Sequence, residues 1–274
     1  MNTPISRRTF LKATAWGAAS SVSLAAYGRT ELQWLEKEKR EFFLKNWDRH
    51  EFKIAFLADS HLTEQVAVNV TRNAIHWALQ QKPDALIFGG DFVEDIDHGV
   101  NQYMEPAFAE VRSSGIPAFA VLGNHDYGTA DPEQVVHKAE QMGFKVLRNH
   151  AAMVGGVIIV GLDCRSFNYT KPEIMDQFKN VTNVISVVHE PDAILEIEPG
   201  TAAISLAGHS HGGQVCLPGG IPIHTPLYAR KYIEGYYPTA NNPLFVTKGL
   251  GATGVHIRTF CRPQVHILHL RINY

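Results

Sequence analysis

The chain has 274 residues, 45% of them hydrophobic and 19% charged, which is the range of a globular protein with one large core. A formal net charge of −2 argues against a binder that neutralises many phosphates, so nucleic acid is not expected as a specific partner and only a local basic patch stays open. The three cysteines, Cys164, Cys216 and Cys261, are too few for a disulfide framework; they read as buried small hydrophobes, with one disulfide as the alternative.

At the amino terminus, Ser6-Arg7-Arg8-Thr9-Phe10-Leu11-Lys12 precedes a weakly apolar stretch of alanine, serine and glycine over residues 13–27. The string is similar to a twin-arginine export signal, and its apolar part falls short of the ~20 residues that span a bilayer. Residues 1–27 are therefore expected to be a signal segment. It would engage the twin-arginine export machinery and deliver the chain to the periplasm or the outer face of the plasma membrane; a frayed basic terminus is the alternative. Tyr27 stands where a lipoprotein would carry cysteine, so lipid attachment is not expected. Next, Leu32, Trp34, Leu35, Phe42, Phe43 and Trp47 are interleaved with lysine, arginine and glutamate. This pattern predicts an amphipathic helix over residues 30–47, within a linker of residues 28–50. Its apolar stripe is expected to dock on the chain's own domain, with a membrane surface as the competing partner.

From residue 52 the pattern alternates strand and helix. An apolar strand over 52–58 ends in Asp59, a helix follows over 66–81, and a strand over 85–88 ends in Gly89-Gly90-Asp91. A helix over 101–114 and a strand over 116–122 then lead to Gly123-Asn124-His125-Asp126. In such a β-α-β-α-β series the polar clusters lie at the carboxyl ends of parallel strands, where open α/β sheets place their ligands. Shorter strands are expected over 144–148, 157–162, 184–188, 202–207, 214–217, 244–247 and 265–270, enough for a second sheet facing the first. The predicted fold class is α/β, with two facing mixed sheets flanked by helices in one domain over residues 51–274. Residues 219–222 and 238–243 read as surface loops.

Five short motifs stand where strands end: Asp59-Ser60-His61, Gly90-Asp91, Gly123-Asn124-His125-Asp126, Val188-His189-Glu190 and Gly208-His209-Ser210-His211-Gly212. Their order resembles the calcineurin-like metallophosphoesterase family over residues 52–270. The resemblance implies two divalent cations. Asp59, His61 and His211 would hold the first, Asp91 would bridge, and Asn124, His189 and His209 would complete the second. Oxygen and imidazole donors without thiolate suit manganese, iron or zinc. Such a pair acidifies a bridging water and clamps phosphoryl oxygens during in-line attack. His125 would then assist the leaving group. Asp126 and Asp95 are the nearest residues to orient it, although both read more naturally as turn or cap residues.

Arg230-Lys231-Tyr232, Lys248-Gly249-Leu250-Gly251 and Arg258-Thr259-Phe260-Cys261-Arg262-Pro263 narrow the resemblance to a YkuE/YaeI-type bacterial branch, related to UDP-2,3-diacylglucosamine pyrophosphatases. Glu190 departs from the asparagine that many members carry. The branch implies hydrolysis of a phosphodiester or pyrophosphate bond in an envelope-associated substrate. The lipid pyrophosphatase itself is the alternative, and a noncatalytic metal-binding scaffold a remote one. Arg230, Lys231, Arg258 and Arg262 are candidates to bind a further phosphate or a nucleotide group, or else are surface charges. Tyr103, Met104 and Phe108 are candidates for an acyl groove, although such a helical stripe is more often core. His224 and His256 follow glycine-containing loops and are weighed as cleft residues against a surface position.

Overall fold

The computed structural model describes residues 23–273; the paired arginines lie outside the described residues. Residues 23–31 form a helix, α1. The first sheet draws on β1 (Glu36–Leu44), β2 (Phe52–Leu57), β3 (Ala85–Phe88), β4 (Ala118–Ala120) and β5 (Phe144–Val146). The second draws on β6 (His150–Val154), β7 (Val157–Gly161), β8 (Val184–Val187) and β9 (Ile204–Ala207). A short hairpin, β10 (Cys216–Leu217) with β11 (Ile221–Pro222), comes next. β12 (Gly235–Tyr237) and β13 (Leu244–Val246) complete the second sheet, and β14 (Gln264–Ile272) returns to the first. The strand orders are β1-β14-β2-β3-β4-β5 and β12-β13-β9-β8-β7-β6. Four helices, α2 (Gln65–Gln80), α3 (Met104–Ser114), α4 (Asn124–Gly128) and α5 (Pro132–Gln141), belong to the first half.

The parallel set β2, β3 and β4 follows the expected β-α-β-α-β series, and the second sheet faces the first as predicted. β2 shows why its apolar run is unbroken. Ala55 and Leu57 join the core beneath α2 and α3, whereas Phe52, Ile54 and Phe56 join Val187, Leu206 and Phe245 between the sheets. A strand covered on both faces loses the polar alternation of a half-exposed one. Met104 and Phe108 are buried, and Phe108 packs edge-on against Phe88 and Phe92, so the proposed acyl groove at Tyr103, Met104 and Phe108 is core.

The expected amphipathic helix over residues 30–47 is overturned. α1 ends at residue 31, and Glu36–Leu44 is a strand paired in parallel with β14 along all nine residues, from Glu36 opposite Gln264 to Leu44 opposite Ile272. Phe42 and Leu44 point into the core, and Phe43 between them points out. Charges spaced for helical pairing mislead here, because β14 offers a long unpaired edge whose backbone groups need a partner. The segment set aside as a linker is thus an edge strand of the first sheet. The loop expected over 219–222 contributes β11, and β6 and β12 are further strands beyond those expected.

Candidate metal centre

The loops that follow β2, β3, β4, β8 and β9 all open on one edge of the paired sheets. Asp59, His61, Asp91, His209 and His211 sit there with φ of 56°, 41°, 55°, 67° and 51°, left-handed values that non-glycine residues rarely adopt. Each such residue costs on the order of 1 kcal/mol, comparable to one net backbone hydrogen bond. Those bonds are present: the N–H groups of Asp59, His61 and Leu62 donate to the carbonyls of Gly90, Asp91 and Phe92. The buried Asp126 carboxylate accepts from the N–H groups of Asp91, Phe92, Val93 and Gly123. Strain held this firmly and concentrated at one edge marks a site of function.

The seven predicted ligand residues converge. Ligand atoms of Asp59, His61, Asp91 and His211 lie within 4.8 Å of one another, as do those of Asp91, His189 and His209. Asp91 Oδ2 is 3.3 Å from His61 Nε2 and 3.1 Å from His189 Nε2, so one carboxylate stands between the two groups. Asn124 Oδ1 is 3.2 Å from His189 Nε2. Three imidazoles are oriented through their other nitrogen: His61 Nδ1 at 2.6 Å from Glu94 Oε2, His189 Nδ1 at 2.8 Å from the Gly89 carbonyl, and His209 Nε2 at 2.7 Å from the Leu227 carbonyl. Metal-binding histidines are commonly braced in this way. Asp59 Oδ2 is buried without a hydrogen-bond partner, and His61 Nε2 faces His211 Nε2 at 3.0 Å. An orphaned carboxylate oxygen and two opposed imidazole nitrogens are what a cation would satisfy. No side chain beyond hydrogen fits at Gly123, where a Cβ would lie 2.1 Å from Asp91 Oδ1.

Burial and mutual charge pull these groups apart. Burial, with Asp91 nearby, raises Asp59 to about 6, although His189 and His61 oppose it. Asp91 is itself desolvated, yet His189 and His61 outweigh that and hold it well below the usual carboxylate range. His61, despite its burial, rises to about 10 beside Asp91 and Glu94, and His189 rises well above its ordinary value for similar reasons. Burial lowers His209 to about 4, helped by His189, and lowers His211, helped by His61 and Arg258. The cluster therefore holds protons that a cation would have to displace.

Residues 52–213, which contain all seven of these side chains, match the family of calcineurin-like phosphoesterases. The chain belongs to that family. Phosphodiesterase YaeI of Escherichia coli strain K12 is 31% identical over 279 residues, covering 97% of this chain and 99% of its own. The metallophosphoesterase YkuE of Bacillus subtilis strain 168 is 29% identical over 287 residues, covering 97% and 98%. Among solved structures, a dimetal phosphatase from Danio rerio aligns over 75% of this chain and 90% of its own, at 11% identity and a TM-score of 0.46.

Around this calcineurin-like centre lie residues that the motifs did not reveal. Glu94 is the principal one: Oε2 faces His61 Nδ1 and lies 3.1 Å from His125 Nδ1, at a distance but not an angle that suits a hydrogen bond, while Oε1 accepts from Thr253. Despite partial burial, His125 and His61 hold its carboxylate well below the usual range. Asp95 instead caps the helical turn that begins at Ile96 and accepts from Thr63, and Asp126 binds backbone; neither orients His125. Arg258 is corrected outright as a phosphate-binding candidate. It is fully buried, donating to the carbonyls of Lys248 and Gly251 and lying 3.3 Å from His211 Nδ1. Arg230, Lys231 and Arg262 are exposed. Glu190 is buried and accepts from the N–H groups of Arg165 and Ser166, so its charge stays out of the cleft. All three cysteines are buried and unpaired.

A cavity of about 410 Å³ opens over the centre. Asp91, Asn124, His125, His209 and His211 form its polar floor, and Val215, Ile223, Pro226 and Val255 an apolar wall. His224 also lines it, whereas His256 lies 3.9 Å from Glu64, away from the floor.

Proposed function

We propose that this phosphoesterase hydrolyses a phosphodiester or pyrophosphate bond with two divalent cations, Asp59, His61, Asp91 and His211 holding one and Asp91, Asn124, His189 and His209 the other. The observation that carries the reading is the Asp91 carboxylate poised between two sets of donors at the floor of an open cavity. Bound cations supply Lewis acidity at the phosphoryl oxygens and acidify a water. The protein supplies position. The His125 backbone N–H donates to Asp91 Oδ1 at 2.8 Å, tying His125 to the carboxylate that both cations would share. With Nδ1 turned to the ionised Glu94, His125 lines the cavity, where it would pass a proton to the departing oxygen as that P–O bond breaks and a water oxygen bonds to phosphorus. The completeness of this set favours an enzyme over a noncatalytic scaffold. Manganese, iron and zinc all suit the donors.

The test is hydrolysis of bis(4-nitrophenyl) phosphate by metal-stripped protein titrated with manganese, zinc and magnesium. Metal-dependent turnover that Asp91→Asn abolishes is expected; folded, metal-loaded protein that stays inert toward diesters would make the lipid pyrophosphatase the leading reading and the scaffold credible. A lipid pyrophosphatase acting on UDP-2,3-diacylglucosamine is the second reading, favoured by the apolar cavity wall, which suits an acyl group. For location, the Arg7-Arg8 string supports twin-arginine export to the envelope; replacing both arginines by lysine should retain the protein in the cytoplasm, and unchanged fractionation would exclude that route.

A further inference from the structure

Six large apolar side chains, Leu217, Ile221, Ile223, Leu227, Val255 and Phe260, are each at least 41% exposed. They share one stretch of surface. Leu217 and Ile221 stand opposite each other on the β10–β11 hairpin, and Ile223 and Val255 belong to the apolar wall of the cavity. Leu227 follows Pro226 of the same wall, and a Cβ at Gly220 of the hairpin would lie 3.8 Å from the Phe260 carbonyl. The patch thus rims the cavity mouth. Solitary exposed apolar residues need no explanation, but a contiguous rim around a site does.

The rim continues toward the amino terminus. The Phe260 ring lies 5.7 Å from the ring of Tyr27 on α1, which in turn lies 6.1 Å from Trp34, itself 44% exposed with the Arg262 guanidinium 5.2 Å above it. In the sequence, residues 13–28, which end just after Tyr27, carry no charged side chain.

We propose that this face seats the protein on a lipid bilayer, with the cavity mouth turned to the phosphate-bearing headgroups. Tyrosine, tryptophan and arginine at the edge of an apolar patch are suited to the boundary between lipid and water. A second copy seated on the same rim would close the cavity, whereas a bilayer brings phosphoesters to it. Only the identity of what enters the cavity rests on the proposed function; the seating does not depend on catalysis.

The experiment is co-sedimentation of the full chain with vesicles of phosphatidylethanolamine and phosphatidylglycerol. It compares the wild type, the hairpin variant Leu217→Glu with Ile221→Glu, and the control Met153→Glu, which alters an exposed apolar residue on β6. The wild type and control should sediment alike, and the hairpin variant should partition about tenfold less or weaker still. Hydrolysis of a soluble diester should match in all three, showing that the hairpin variant is folded. Equal partition of the hairpin variant, or no vesicle binding by the wild type, would overturn the seating. So would a concentration-dependent dimer that the hairpin variant loses, since that assigns the face to a second copy. Vesicle binding by a wild type inert toward both a soluble diester and a soluble pyrophosphate ester would instead overturn the proposed function and leave the seating intact.

Discussion

Asp91 lies between both halves of the candidate centre, and in the proposed mechanism His125 and Glu94 would separate the work of holding cations from that of moving a proton. His125 contributes a backbone N–H to Asp91, and its side chain clusters with His61 and Glu94, outside the two groups that share Asp91. His125→Ala is therefore expected to lower kcat by ~10²- to 10⁴-fold with bound metal unchanged. Glu94→Gln removes the charge that faces His61 Nδ1 and His125 Nδ1 together. Loss of such a brace typically costs ~10- to 100-fold in metal affinity or activity. Metal content and kcat measured on both variants decide the matter: equal metal loss in the two would refute the division. Sequence alone pointed to Asp95 or Asp126 as possible partners of His125. Glu94 escaped notice because its role depends on three separate segments, carrying His61, His125 and Thr253, meeting around it.

Among the elements, β1 departs furthest from expectation, and its pairing with β14 has a measurable consequence. His266 of β14 is buried, shares a hydrogen bond at Nε2 with the Thr247 hydroxyl, and places Nδ1 3.5 Å from Glu38 Oε2 of β1. Burial holds the imidazole below its ordinary value, against the opposing pull of the Glu38 carboxylate. Glu38, with His266 and then Arg40 as partners, is lowered from 4.5 to about 2. A carboxylate depressed in the folded state contributes stability that is complete above its unfolded value and is lost as pH falls through the folded one. Glu38→Gln should lower the urea midpoint at pH 7, and the gap to the wild type should close between about pH 5 and pH 2. A gap that persists at pH 2 would show that the side chain acts through packing instead of charge.

For the molecule as a whole, the centre ties both sheets together at one edge, since Asp59 and Asp91 follow strands of the first sheet while His189 and His209 follow strands of the second. Cations bound only by the folded chain stabilise it by mass action, about 2.7 kcal/mol at one hundred times Kd. For a chain of this size that corresponds to a Tm shift of roughly 5–10 °C. Chelation should lower Tm by that order, with recovery on adding manganese or zinc, and with a smaller recovery at lower pH because protons on His61 and His189 compete. An unchanged Tm would mean that the folded chain does not hold cations. By itself the sequence determined the β-α-β-α-β order, the second sheet and the seven side chains at strand ends, because strand runs and the loops that end them are written in contiguous residues. Only the tertiary structure decided that residues 36–44 are a strand, that Arg258 lies beneath His211, that Glu94 faces two imidazoles, and that the exposed residues from Leu217 to Phe260 gather at one mouth. Each of these depends on partners distant in the chain, whose backbone edges, carbonyls and charges become neighbours only after folding.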